Sequence, residues 1–337
     1  MLDAPELPLP RGPVSEDIIE VLRRSPSLVP SAPFLNGDTL DEEDLQLALY
    51  VCYELHYRGW AGVDPAWEWD AGLLARRAEL EDAFLFRLRA ALEPTPTASP
   101  AATVVALRDL VATGGAPSVS RYAEEHATIE QLRELAIHRS PYQLKEADPH
   151  TWAIPRLPAG RAKSAMLGLQ FDEYGDAVPG RSHAELFAET MRALDLDPTY
   201  GHYLDVVPGV VLATVNLVSL FGLHREHVGA CIGHLAVFEM TSVVPMGRYS
   251  RAMRRVVGSE RGAEFYDVHV LADAEHQRIA INELVPGLLE ADPSLGPDLL
   301  FGAAALMHLE RRVAEHIIGC WESDSCSLHS TLALAGL

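Results

Sequence analysis

Apolar residues recur at three-and-four spacing along most of the chain, and strict apolar–polar alternation is almost absent. That periodicity predicts helices and no substantial sheet. A first helix is expected from about Thr39, where Thr39-Leu40-Asp41-Glu42 reads as a capping box, to about Tyr57. A second covers roughly 71–92. Further helical stretches are expected near 102–113, 117–138, 159–175, 182–194, 208–222, 225–243, 258–286 and 294–320. Helix breakers are expected at Gly114-Gly115, Gly175 to Gly180, Pro198, Gly222, Pro245 and Pro286.

Residues 1–36 hold seven prolines and little periodicity, which predicts a poorly ordered leader. Glu93 to Ala102 reads as a Pro/Thr/Ala linker. The expected organisation is therefore a leader over 1–36, a helical extension with its linker over 37–100, a helical bundle over 101–322 and a tail over 323–337.

Composition narrows the function. Of 337 residues, 48% are hydrophobic, enough for a substantial core, and the net charge is −21. So acidic a chain is repelled by nucleic acid and by anionic membranes. The apolar stretch Val206 to Leu223 contains Pro208, Gly209, Thr214, Asn216 and Ser219, and reads as a buried helix. Four cysteines without a CxxC pair, and no secretory leader, predict reduced thiols and a cytoplasmic protein.

Candidate chemistry centres on His269, Asp273 and His276. At about 100° per residue their spacing places all three within roughly 60° on one helical stripe. Val268, Val270, Leu271, Ala272 and Ile279 make that helix buried or half-buried. Buried imidazoles and carboxylates need partners, and a divalent transition metal is one. Ordinary histidines on a solvated face, or hydrogen-bonded to the carboxylates, are the plainer alternative. Further ligand types occur on other predicted helices: Glu239 inside an apolar run, Glu173 at a helix end, and His183 at a helix start, with Glu146 a possible seventh. Three carboxylates and three imidazoles suit two ions better than one. No HExxH, ExxH, P-loop, GxGxxG or GxSxG motif appears. Cys231 lies among Ala, Ile and Gly and reads as a small buried hydrophobe. The other histidines, including His150 and His234, are expected in core or surface roles.

The order Glu173, a nine-residue gap, His183, Glu239, then His269-xxx-Asp273-xx-His276 resembles the haem-oxygenase-like di-iron oxidases and oxygenases, in particular the actinobacterial iron-containing redox enzymes. The surrounding stretches 145–157, 171–175 and 233–242 carry the same likeness, which spans about 120–322. The resemblance implies an all-α, seven-helix haem-oxygenase-like bundle with an N-terminal helical extension. It implies two Fe(II) ions per chain, with manganese an alternative in one position, and O2 as co-substrate. The implied ligands are Glu173, His183, Glu239, His269, Asp273 and His276, with Glu146 matching an extra ligand of some members. Expected partners are a small-molecule substrate carrying an amine or a carboxylate, with Arg156 and Arg248 as candidate cationic contacts, an external electron donor and a second copy of the chain, with no nucleic acid or membrane. An aliphatic-acid desaturase or decarboxylase and a non-catalytic metal binder are the competing readings.

Overall fold

The computed structural model describes residues 4–26, 42–93, 99–115 and 117–329, and every regular element among them is a helix. In chain order these are α1 (Pro13–Leu22), α2 (Glu42–Glu54), α3 (Ala71–Ala91), α4 (Pro100–Thr113), α5 (Val119–Glu125), α6 (Ile129–Gln143), α7 (Asp148–Thr151), α8 (Arg161–Glu173), α9 (His183–Ala193), α10 (Gly209–Leu223), α11 (Val228–Val256), α12 (Glu260–Ile279), α13 (Val285–Ala291) and α14 (Gly296–Glu322).

The chain divides into two compact units that interleave in sequence. One takes residues 1–93, 199–216 and 328–337; the other takes 94–198 and 217–327. The contiguous division expected at 100/101 is thereby corrected, because residues 199–216 return to the N-terminal helices. In that first unit Tyr200 donates to Glu54 at 2.5 Å and Gly209 N donates to Glu43 at 2.7 Å. The leader is also corrected over part of its length. Residues 13–22 form α1, which buries Ile18, Ile19 and Leu22. Asp44 accepts the free N–H groups of Val14 and Ser15 at 2.9 and 2.7 Å and so caps it from α2. The predicted cap at Thr39 lies outside the described residues. In the same unit Glu54 and His56 bond to Tyr200 and to Arg77 (2.6 Å) respectively.

The second unit is built on α11, which packs against both α12 and α14. The helical run 225–256, which contains α11, is long and apolar enough to cross a bilayer by length and composition; here it is a core element with buried faces toward its neighbours. Glycine makes the α11–α14 crossing close. A Cβ at Gly233 would lie 1.9 Å from the Leu299 carbonyl oxygen, and one at Gly302 would lie 2.0 Å from that of Ala230. The expected tail is anchored as far as it is described: Ser327 is fully buried and Glu134 accepts from both its N–H and its hydroxyl.

Two expected breakers do not break. Pro245 lies inside α11. Pro286 follows a widened π turn at Ala280–Leu284 and sits in the first turn of α13. Proline cannot donate to the carbonyl four residues back, which here is Asn282, and Arg161 donates to that oxygen instead at 2.5 Å. Pro141 in α6 is handled alike: Ser140 Oγ donates to the Ile137 carbonyl at 2.9 Å. A breaker was missed at residues 126–128, where Thr128 and Gln131 form a capping box and split the expected 117–138 helix into α5 and α6.

Candidate metal centre

The helical stripe on α12 is present as its spacing predicts, and His269, Asp273 and His276 are each 2% exposed. Glu239 on α11, Glu173 in the last turn of α8 and His183 in the first turn of α9 are also buried. Ser182 caps α9 through a reciprocal box with Glu185 and so fixes where His183 starts. Glu146 lies in the turn between α6 and α7, followed by Ala147 in the left-handed region at φ 76°. That turn sets the carboxylate at the centre.

These seven residues form two four-membered groups, and in each the donor atoms lie within 4.8 Å of one another. Glu146, Glu173, His183 and His269 make the first; Glu173, Glu239, Asp273 and His276 make the second. Glu173 belongs to both. Its Oε2 is 2.6 Å from His183 Nδ1 and its Oε1 is 3.3 Å from His276 Nδ1. The two groups are thus adjacent and compatible with a di-metal site.

The hydrogen-bond pattern tests that fit. His269 Nδ1 lies 2.8 Å from the Phe265 carbonyl, which requires an N–H there and leaves Nε2 facing Glu146 at 3.6 Å. His276 Nε2 lies 2.8 Å from Asp172 Oδ2, so an N–H donates outward. Its Nδ1 then faces Glu173 and Glu239 at 3.3 Å and Asp273 at 3.6 Å. His183 Nδ1, His269 Nε2, Asp273 Oδ2 and His276 Nδ1 are buried without a directed hydrogen bond. Each group therefore carries buried donor atoms aimed at its own centre. Four buried carboxylates surrounding lone-pair nitrogens require positive charge between them. A proton can serve one or two of these oxygens; a metal ion can be shared by the whole set. The Asp172–His276 contact has the carboxylate–histidine form that orients metal-binding imidazoles.

Protonation follows the same logic. Burial pushes the Glu239 carboxyl up to about 7, with Glu173 and Asp273 adding to it. Burial opposes charge on His269, but the carboxylates around it, Glu146 foremost with Asp273 and Glu173, together outweigh it and hold the imidazole up to about 10. Both shifts are upward. The Glu239 contribution to stability is present below its ordinary value of 4.5 and is lost as pH rises through about 7. That of His269 is present below 6.5 and lost through about 10. Metal-free protein is accordingly expected to lose thermal stability from about pH 5 to about pH 10. Bound divalent metal replaces those protons, so the stabilisation on adding it grows over the same window. Thermal unfolding with and without Fe(II) under argon checks this; a metal-free protein whose stability is flat or rising there speaks against it.

Some site residues escaped the sequence reading. Asp172, beside Glu173, is not among the expected site residues, although adjacent carboxylates ending an apolar helix are a visible signal. His150 and Tyr142 line the small space that opens on the centre. His150 Nε2 is 3.0 Å from His234 Nδ1, and Tyr142 Oη is 3.4 Å from His150 Nδ1. Nothing in local spacing announces that three-residue chain. Arg156 and Arg248 are engaged elsewhere, with the Leu223 carbonyl and with Ser118 and Glu124, and line no part of that space. Cys231 is buried and its thiol is pushed up to about 12, chiefly by burial, which makes it a poor nucleophile.

Comparison with known proteins agrees with the geometry. Over 132 residues, 39% of this chain, the sequence is 26% identical to nitrosourea synthase of Streptomyces achromogenes subsp. streptozoticus, and the alignment spans 28% of that protein's length. Residues 133–311 match the family model described as iron-containing redox enzyme. That match is more than half of the chain and contains all seven clustered residues, from Glu146 to His276. The chain belongs to the haem-oxygenase-like family of iron-containing redox enzymes.

Proposed function

We propose that this protein is a non-haem di-iron oxidoreductase that uses O2 to oxygenate or oxidatively cleave a small amine- or carboxylate-bearing metabolite. The observation that carries the reading is Glu173, one carboxylate shared by two buried four-residue groups. Glu146, Glu173, His183 and His269 would hold one ion; Glu173, Glu239, Asp273 and His276 would hold the other. The four carboxylate charges match those of two divalent ions, and Glu146 completes that balance. Imidazole and carboxylate together suit iron. When bound, ferrous iron supplies the electrons that reduce O2. The protein's own part is to hold the ligands, to orient His276 through Asp172 and His269 through the Phe265 carbonyl, and to limit water at the centre. The space there is about 10 Å3, room for one water-sized molecule. A nitrosourea carries an N-nitroso group, so the similarity to nitrosourea synthase favours nitrogen as the atom oxidised.

Anaerobic Fe(II) titration followed by O2 tests the reading. Two irons per chain and oxygen uptake are expected. His276→Ala and Glu239→Ala should each lose the second iron, and full iron binding by both variants would sink the ligand assignment. Metal binding with no O2 consumption, whatever reductant is supplied, would instead mark a metal-holding protein without turnover.

A further inference from the structure

We propose that a second, larger cavity beside the carboxylate–histidine cluster binds the body of the substrate, and that this body is an aryl group whose molecule carries one anionic end. The inference rests on reading the cluster as the reaction centre. The space on the cluster itself is too small for a metabolite, whereas the neighbouring cavity has a volume of about 320 Å3, ample for a small molecule.

Its inner wall ties it to the cluster. Phe238 lines both spaces. The Phe265 ring is 4.3 Å from that of His269, and Phe187 meets Phe265 edge-on at 5.1 Å. The Gln143 amide, with its nitrogen turned to the carboxylate, donates to Glu146 at 2.8 and 3.0 Å. Tyr249 and Tyr266, 5.6 Å apart, extend the aromatic lining. Ring edges and faces arranged this way favour a flat aromatic guest over a flexible chain.

The charge of the lining selects the other end. Arg139 is held by both oxygens of Glu310 at 2.9 Å, so that pair adds no net charge. Arg311 is an exposed lining residue and makes no ion pair among the described residues. The lining is therefore net positive in a chain of net charge −21, which attracts a carboxylate and repels an ammonium. With the acid at Arg311 and the ring against Phe238 and Phe265, the aryl end lies nearest the cluster.

Calorimetric titration of the full chain with 3-phenylpropionate tests this, in metal-free and in anaerobic Fe(II)-loaded protein, with 3-phenylpropanamide and 3-phenylpropylamine as comparators. The acid should bind both forms at least about tenfold more tightly than the amine. Arg311→Ala should abolish that preference and leave amide binding unchanged. Thr241→Trp, at an exposed lining position, and Leu306→Trp, deeper in, should remove acid binding at unchanged iron stoichiometry. The proposal is overturned if the acid does not bind, if the amine binds equally, or if Thr241→Trp binds iron and acid like the parent. Acid binding without iron binding would overturn the di-iron reading alone; iron binding without acid binding would overturn this proposal alone.

Discussion

Glu173→Gln should cost the protein both metal ions, whereas loss of any other ligand should weaken chiefly one. Glu173 is the residue common to the two groups, and its two oxygens face opposite ways, toward His183 and toward His276. The amide keeps the volume but removes the charge and one acceptor, so one centre loses its Glu173 oxygen and the other keeps only a neutral, weaker ligand. Loss of an outer partner to a metal ligand costs about 10–100-fold in affinity, and loss of a shared inner ligand should exceed that for both ions. Metal analysis after dialysis, with Mössbauer spectra of iron-57-loaded protein, reads the result. Retention of one firmly bound ion by Glu173→Gln would mean the carboxylate is not shared. His183→Ala is the informative comparison, because it should spare the group around His276.

The second large effect is expected at a residue that binds nothing. Gly175→Ala should destabilise the protein by roughly 2–4 kcal/mol and strip its iron. Gly175 begins the short passage from Glu173 to His183 and has φ 67°, in the left-handed region. A Cβ there would lie 2.3 Å from the Arg181 carbonyl carbon and 2.5 Å from Ser182 N. Those are backbone atoms and cannot swing aside, so the loop must open, and its opening separates Glu173 from the start of α9. Gly180→Ala separates strain from collision. Gly180 also has positive φ, 81°, but nothing lies within 4 Å of its would-be Cβ, so its cost should be about 1–2 kcal/mol with iron retained. Thermal melts and iron stoichiometry of the pair decide the matter; equal behaviour of the two variants would remove the role assigned to close approach.

These cases show which parts of the centre could be read from the chain. His269, Asp273 and His276 share one helix, so their convergence follows from 3.6 residues per turn alone. Glu173, His183 and Glu239 drew notice because carboxylates and imidazoles stand out in apolar text, but their meeting depends on how α8, α9 and α11 pack. Glu146 enters on a turn shaped by the positive φ of Ala147, which no periodicity predicts. Helix positions were legible where apolar spacing was regular. They failed at Pro245, which lies inside α11, and at Pro286, where the Arg161 bond to Asn282 replaces the one that proline cannot make. The interleaved units were illegible for a related reason: residues 199–216 are joined to the N-terminal helices by bonds such as Tyr200–Glu54, between residues 146 positions apart.

Arg161 has a consequence beyond replacing a lost hydrogen bond. It opens α8, and besides Asn282 it meets Glu283 at 2.7 Å and Glu290 at 2.6 Å. At the other end of the same helix Asp172 holds His276. The segment that bears Glu173 is thus fastened at its head and its foot to the continuous run from α12 into α13. Freedom that ion binding would otherwise have to remove is removed when the chain folds. The ligand cage is in this respect pre-organised, and its affinity draws on the cohesion of a helix pair as much as on the atoms that would touch iron.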